Sequence, residues 1–250
     1  MKKYILDLEV ASIEHLNKKN VLLKLSSSAP LPDILPGQFV EVRVDDSPST
    51  FLRRPISVNF VDRATNRLWL LVAAVGDGTR RLAQLRVGDT LNCVLPLGNS
   101  FTMPTLPEQK ILLVGGGVGV APLLYFGKLI CDFGAEPTFL LGARSAEDLL
   151  EVDEFRKYGR VFMTTEDGTY GEQGFVTNHS ILQTESFDQI STCGPKPMMM
   201  AVARFAHANG IACEVSLENK MACGVGACLC CVEKTTDGNV CVCKEGPVLN

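Results

Sequence analysis

Histidine is scarce in this sequence: the three present, His15, His179 and His207, have no partner at catalytic or metal-binding spacing, and each is expected at the surface or in a core. Clustered positive charge is missing too. Lysine and arginine total 24 against 28 acids and are scattered, for a formal net charge of −4, so there is no electrostatic footprint for nucleic acid or an anionic membrane. Small molecules and other proteins are the partners left. An uncharged, apolar run at 111–127 is shorter than the roughly 20 residues of a spanning helix and holds five glycines and a proline. It is expected to form a buried strand, a loop and a helix. In the stretch "MKKYILDLEVASIEHL", Asp7 and Glu9 interrupt any apolar core of a secretory signal, and a cytoplasmic location is expected. Internal repeats and low-complexity tracts are absent.

What the sequence does have is sulfur, and most of it late. Of ten cysteines only Cys93 and Cys131 precede Cys193, whereas "ACGVGACLCC" (222–231) puts four into ten positions. In a reducing compartment such clustering points to a metal or to catalysis rather than to disulfides.

Three stretches with different rhythms are expected. Over 1–100, short β-rich runs such as "GQFVEVRVD", "RPISVNF" and "RLWLLVAA" alternate with Pro, Gly, Asp and Asn turns, which predicts an antiparallel barrel or sandwich. The segment "NSFTMPTLPEQ" (99–109), with two prolines, marks the boundary. Over 101–217 apolar strands recur at "KILLVGGG", "PTFLLG", "RVFMTT", "FDQISTCG" and "CEVSLE" with helical stretches between several of them, the pattern of a doubly wound α/β sheet. Residues 218–250 carry too few apolar side chains for a core of their own, and a metal is expected to substitute for it.

Cys223, Cys228 and Cys231 follow the spacing C-x4-C-x2-C, with a fourth candidate at Cys243. That is the plant-type [2Fe–2S] arrangement. A compact cluster needs thiolates converging from several sides; Gly224 and Gly226 let the chain wrap and leave amides free to point at sulfur. Zinc is the alternative, although zinc sites usually use two short C-x2-C-like pairs. Spacing alone leaves Cys230 and Cys241 open as ligands, and both are expected to be spare, small buried hydrophobes.

Two further motif groups point to nucleotides. "RRPISV" (53–58) sets a guanidinium, at Arg54, before a proline and a hydroxyl on a barrel strand, suited to an anionic diphosphate and a flavin edge. "GDGT" (76–79) permits close backbone approach before a helix at "RRLAQL". "VGGGVGVAP" (114–122) opens the α/β domain at a strand-to-helix turn, where pyrophosphates bind, although Val120 stands where G-x-G-x-x-G has its third glycine. "TCGPKPMM" (192–199) brings Cys193 to the carboxyl edge of the sheet, while Met198, Met199 and Met200 are expected to be helix-core packing. After the next strand, "GARSAED" (142–148) offers Arg144 for a 2′-phosphate and Glu147 for a ribose hydroxyl, leaving NAD against NADP open.

In this order, "RPIS", "GDGT", "GGGVGVAP" and "CGP" resemble the motifs of the ferredoxin-reductase superfamily. With "MACGVGACLCCV…CVCKEGPVL" the chain is similar over its whole length to the electron-transfer subunits of type B dihydroorotate dehydrogenases. The resemblance implies Cys243 rather than Cys241 as fourth ligand. It implies FAD lined by Arg54, Pro55, Ile56, Ser57, Leu71, Val72, Ala73, Gly78 and Thr79, with Ile56 where broader superfamily members carry a tyrosine. It implies NAD over Gly115, Gly116, Gly117, Gly119, Ala121 and Pro122, near Cys193, Gly194 and Pro195.

A nicotinamide moves two electrons and an iron–sulfur cluster one, so a flavin is needed between them. The partner implied is an FMN-containing catalytic subunit that oxidises dihydroorotate in pyrimidine synthesis, in a heterotetramer. A reductase module for a hydrogenase, ferredoxin or oxygenase, and a zinc-stabilised binding module without redox chemistry, are the alternatives.

Overall fold

The computed structural model describes residues 2–236 and 238–250. The chain divides into two compact units, one running to Ser100 and resuming over Glu218–Pro247, the other comprising Phe101–Leu217 and Val248–Asn250.

In the first unit six antiparallel strands, β1 (Tyr4–His15), β2 (Asn20–Ser26), β3 (Phe39–Val42), β4 (Arg54–Asp62), β5 (Arg67–Ala73) and β6 (Thr90–Leu97), close into a barrel in the order β1-β2-β5-β4-β3-β6. A short helix, α1 (Asp77–Leu82), follows β5. Closure leaves no strand of the barrel as a free edge along its whole length, and Leu8, Leu23, Leu25, Leu68, Leu70 and Leu95 fill the interior. Successive side chains of a strand point to opposite faces, yet all four residues of β3 are buried. The second cover comes from the cysteine segment. A Cβ on Gly98 would lie 2.5 Å from Pro247 Cδ and 3.1 Å from Phe39 Cε1, and one on Gly224 would lie 2.8 Å from Glu41 Cγ and 3.0 Å from Leu97 Cδ1. Asn99 adds two hydrogen bonds, donating from its amide to Gly246 O (2.6 Å) and from Nδ2 to Glu245 O (3.0 Å).

The expected separate body over 218–250 is therefore not what forms. Residues 218–247 borrow the outer surface of β3 and β6 as their core, which a segment so poor in apolar residues cannot build alone. The metal expected to substitute for a core thus has the barrel surface beside it.

The second unit is a seven-stranded sheet built from β7 (Ile111–Gly116), β8 (Thr138–Ala143), β9 (Arg160–Thr165), β10 (Glu172–Gln173), β11 (Gln189–Cys193), β12 (Ala212–Ser216) and β15 (Val248–Leu249). The intervening β13 (Val232–Thr235) and β14 (Gly238–Cys241) form a hairpin within the cysteine segment. Sheet order is β10-β9-β8-β7-β11-β12-β15, parallel except for β15 against β12. Helices α2 (Ala121–Asp132) and α5 (Lys196–Ala208) follow β7 and β11, while shorter α3 (Val152–Phe155) and α4 (Ile181–Thr184) lie between the other strands and α6 (Val242–Glu245) ends the cysteine segment. Leu112, Val114, Leu140, Ile190, Val202 and Ala206 form one core on the sheet. Gly127 of α2 sits so near Phe139 that a Cβ would fall 2.2 Å from its ring. Close helix-to-sheet packing, which the third glycine of a dinucleotide fingerprint serves, is thus found about two helix turns beyond Val120. Among the described residues no helix is long and apolar enough to cross a membrane.

Candidate functional site

The barrel opens where its motif stands. β4 and β5 pair from Asp62↔Arg67 up to Val58↔Leu70, and beyond that Leu71, Val72 and Ala73 pair only with β2 while Arg54–Ser57 pair only with β3. The two strand ends expected to line a flavin therefore diverge and leave main-chain groups facing a gap. Leu71 and Val72 are buried in the barrel, which leaves their backbone as the part able to meet a ligand.

The two arginines of "RR" have different tasks. Arg53 is spent on the barrel: its Nη1 donates to Glu41 O (3.2 Å) and Asn92 O (3.0 Å), and its Nη2 donates to Asn92 Oδ1. Arg54 donates only from Nη1, to Leu52 O (3.1 Å) and Arg53 O (3.2 Å), and among the described residues it makes no hydrogen bond or ion pair with an acid, Glu41 feeling its charge only from a distance. A cation so placed fits an anionic diphosphate. Gly78 comes up against it, since a Cβ there would lie 3.0 Å from Arg54 Nε. Two motifs separated in sequence thus meet. The helix starts earlier than expected, within "GDGT" itself, and Thr79 Oγ1 accepts from Val75 N (3.1 Å) and Gly76 N (3.0 Å) and donates to Gly76 O (3.2 Å). Its hydroxyl is occupied by that turn. Ile56 is buried.

In the α/β unit the chain proceeds from β7 through β8 to β9 on one side and returns with β11 on the other. The order switches between β7 and β11, and crevices outside such a switch collect ligands. Both glycine motifs stand there, with Cys193 paired to Gly115. The turn Gly117–Val120 leads into α2, whose first residues are Ala121 and Pro122. A Cβ on Gly119 would fall 2.4 Å from Gly194 Cα, and one on Gly116 would meet Met198 Sδ at 2.5 Å and Pro195 Cδ at 3.1 Å. Gly117, at φ +55°, has open space around it. The loops touch through missing side chains, and what remains exposed to a ligand is backbone, as pyrophosphate binding requires. Cys193 is fully buried; of the three methionines Met199 is buried, Met198 packs beside Gly116, and Met200 is exposed.

Around the cysteines the loop's amides turn toward sulfur. Cys223 Sγ accepts from Val225 N (3.5 Å) and Ala227 N (3.3 Å), Cys243 Sγ accepts from Gly226 N (3.1 Å), and Cys231 Sγ accepts from Cys243 N (3.3 Å). The amide of Val225, helped by those of Cys228 and Ala227 and by the Cys228 thiol, brings the Cys223 thiol down to about 6. Burial, then the hydrogen bond with Cys231, pushes Cys243 up to about 12. The Cys228 thiol hydrogen-bonds with Cys223, and the Cys231 thiol with Cys243. Among the described residues no three of these four sulfurs converge on one point. Soft thiolate donors wrapped by donating amides fit an iron–sulfur cluster. Cys230 is exposed, Cys241 half-buried, and neither takes part in these sulfur contacts.

One residue of this region escaped the sequence. Glu41 is 1% exposed, and among the described residues neither carboxylate oxygen has a hydrogen-bond partner. Burial pushes its carboxyl up to about 7, against the pull of Arg53 and Arg54. Alternation in "GQFVEVRV" marks position 41 as outward-facing; what covers that face comes about 180 residues later.

Comparison with known proteins covers both units. Residues 218–250 match the family described as the iron–sulfur cluster binding domain of dihydroorotate dehydrogenase B, and residues 113–204 match the oxidoreductase NAD-binding domain. The dihydroorotate dehydrogenase B (NAD(+)) electron transfer subunit of Shouchella clausii is 41% identical over 85% of this chain and 83% of its own. The protein of the same name from Fusobacterium nucleatum is 40% identical over 85% and 84%. Among solved structures, an NADH-dependent reduced ferredoxin–NADP oxidoreductase studied for flavin-based electron bifurcation superposes with a TM-score of 0.87 at 29% identity, over 97% of this chain and 87% of that one. The ferredoxin reductase of carbazole 1,9a-dioxygenase shares the fold, with a TM-score of 0.72 at 21% identity over 84% and 67%.

Proposed function

The chain belongs to the electron transfer subunits of dihydroorotate dehydrogenase B (NAD(+)), and from that premise we propose that it carries electrons between an FMN-containing, dihydroorotate-oxidising catalytic subunit and NAD in pyrimidine biosynthesis. Its cofactors are FAD, a [2Fe–2S] cluster and NAD. When bound, FAD exchanges two electrons with a nicotinamide and single electrons with an iron–sulfur centre. Arg54 holds the flavin diphosphate, with Pro55, Ile56, Ser57 and the backbones of Leu71, Val72, Ala73, Gly78 and Thr79 around the rest. Backbone at Gly115, Gly116, Gly117, Gly119, Ala121 and Pro122, with Cys193, Gly194 and Pro195, orients NAD. Cys223, Cys228, Cys231 and Cys243 hold the cluster.

The observation that carries this reading is the union of cluster loop and flavin motif in one unit. Gly224, the neighbour of Cys223, lies against Glu41, and Glu41 pairs in register with Pro55. A centre held by the cysteines thus stands beside the flavin strand, as single-electron exchange needs. The exposed apolar Val225, Leu229 and Val232 surround the same loop and suit the docking of the catalytic subunit, in a heterotetramer. Ten cysteines, all free in this structure, suit a reducing cytoplasm.

The test is reconstitution. The isolated, cofactor-loaded chain should reduce an artificial acceptor with NADH and leave dihydroorotate untouched. Dihydroorotate-dependent reduction of NAD should appear only when an FMN-containing catalytic subunit is added, in a complex that survives gel filtration. Turnover of dihydroorotate by the lone chain, or a catalytic subunit that does not bind it while a hydrogenase, ferredoxin or oxygenase component does, would overturn the reading.

A further inference from the structure

We propose that Glu41 sets the reduction potential of the iron–sulfur centre, holding it down by placing a carboxylate of the barrel directly beneath the cysteine loop. The inference rests on the assignment of the cluster to Cys223, Cys228, Cys231 and Cys243.

Three observations carry it. The carboxyl is buried, and both its oxygens lack a hydrogen-bond partner among the described residues. Burying such a group unpaired is costly, and an unpaired buried group calls for an explanation. It is also laid against the loop: Gly224, at φ +66°, follows Cys223 and approaches so closely that a Cβ would fall 2.8 Å from Glu41 Cγ and 3.3 Å from Glu41 Oε1. Finally, among the described residues no cation forms a hydrogen-bonded ion pair with it. The charged and titratable groups that face it are Arg53, Arg54 and Cys223, and both guanidiniums direct their hydrogen bonds elsewhere, to Asn92 and to main-chain carbonyls.

A negative charge without a hydrogen-bonded counter-ion, in a poorly polarisable surrounding, repels an added electron; Arg53 and Arg54 offset that charge only in part, from a distance. Cluster potentials respond to net charge, to hydrogen bonds on sulfur and to exposure. The amides of Val225, Gly226 and Ala227 donate to sulfur and favour the reduced centre; Glu41 opposes them. Barrel and loop thus pull the same equilibrium in opposite directions.

The test uses the holoprotein of Glu41→Gln, which keeps the shape and removes the charge, and of Glu41→Met, which also removes the polar group. The readout is an EPR-monitored redox titration at about pH 8.5, with iron, sulfide and FAD per chain as controls. Both variants should retain the cluster and titrate at a more positive midpoint than wild type, with reduction favoured threefold to tenfold; tenfold is about 59 mV for one electron. A variant that holds a full cluster at the wild-type midpoint overturns the inference. So does loss of the cluster from both, which would make Glu41 a requirement for assembly. A wild-type protein without an EPR-active cluster would instead fail the assignment of the cysteines.

Discussion

The two units of this chain build their sites by opposite means. In the barrel unit the proposed chemistry is placed mainly by side chains that are present: a guanidinium and a carboxyl that, among the described residues, have no hydrogen-bonded partner of opposite charge, and four thiols. In the α/β unit it is placed by side chains that are missing, since Gly116, Gly119 and Gly194 bring two loops into backbone contact. The difference teaches what a substitution can reach. Truncation should strip a ligand from the first unit and leave its fold standing, whereas addition of a single methyl should disturb both fold and ligand in the second.

The sharpest test of the side-chain unit is all-or-none. Cys243→Ser should abolish the cluster, read as iron, sulfide and visible absorption, while Cys241→Ser and Cys230→Ser should keep it. Retention in Cys243→Ser with loss in Cys241→Ser would reassign the fourth ligand.

For the glycine unit, Gly119→Ala drives a methyl into main chain, which does not yield as a flexible side chain would. It should cost about 3 kcal/mol, the upper part of the overpacking range, as a lowered urea midpoint, and should slow reduction of FAD by NADH. Gly117→Ala, with open space but a left-handed backbone, should cost only about 1–2 kcal/mol. Equal costs for the two would break the contrast.

Arg54→Ala should lose about 1.5–3 kcal/mol of charge-assisted hydrogen bonding to FAD, roughly tenfold to a hundredfold in affinity, with the melting of the apoprotein unchanged. Flavin content that survives gel filtration undiminished would remove Arg54 from the site.

The smallest effect concerns pH. Cys223 is held down to about 6 and Cys243 pushed up to about 12. A lowered thiol is thiolate above its pKa and loses that form as pH falls through it. In cluster-free protein, alkylation of Cys223 should therefore rise with pH to a plateau with an inflection near 6, and Cys243 should stay unmodified through pH 8. Mass spectrometry of the two peptides decides it.

Much of this was legible in the chain because local patterns reflect local geometry. "RVFMTT" is β9 to the residue, C-x4-C-x2-C placed the cysteines in one loop, and "GGGVG" with "CGP" lay at adjacent strand ends as the α/β rhythm required. Boundaries were less secure. The helix expected at "RRLAQL" begins at Asp77, because Thr79 caps the turn with its own hydroxyl, and the cysteine segment joined the barrel instead of standing alone.

The sequence by itself determined which chemistries the chain carries, since spacing, residue type and glycine permission are properties of a few neighbouring residues. Only the tertiary structure decided which members of those sets stand where a ligand can meet them and which are tied into the fold. It separated Arg54 from Arg53 by where each guanidinium is hydrogen-bonded, opened the barrel by ending the β4–β5 register at Val58, and buried Glu41 under Gly224. Each of those outcomes depends on groups far apart in the chain meeting in a closed, desolvated contact, and an unpaired charge or a missing Cβ acquires its energy only there.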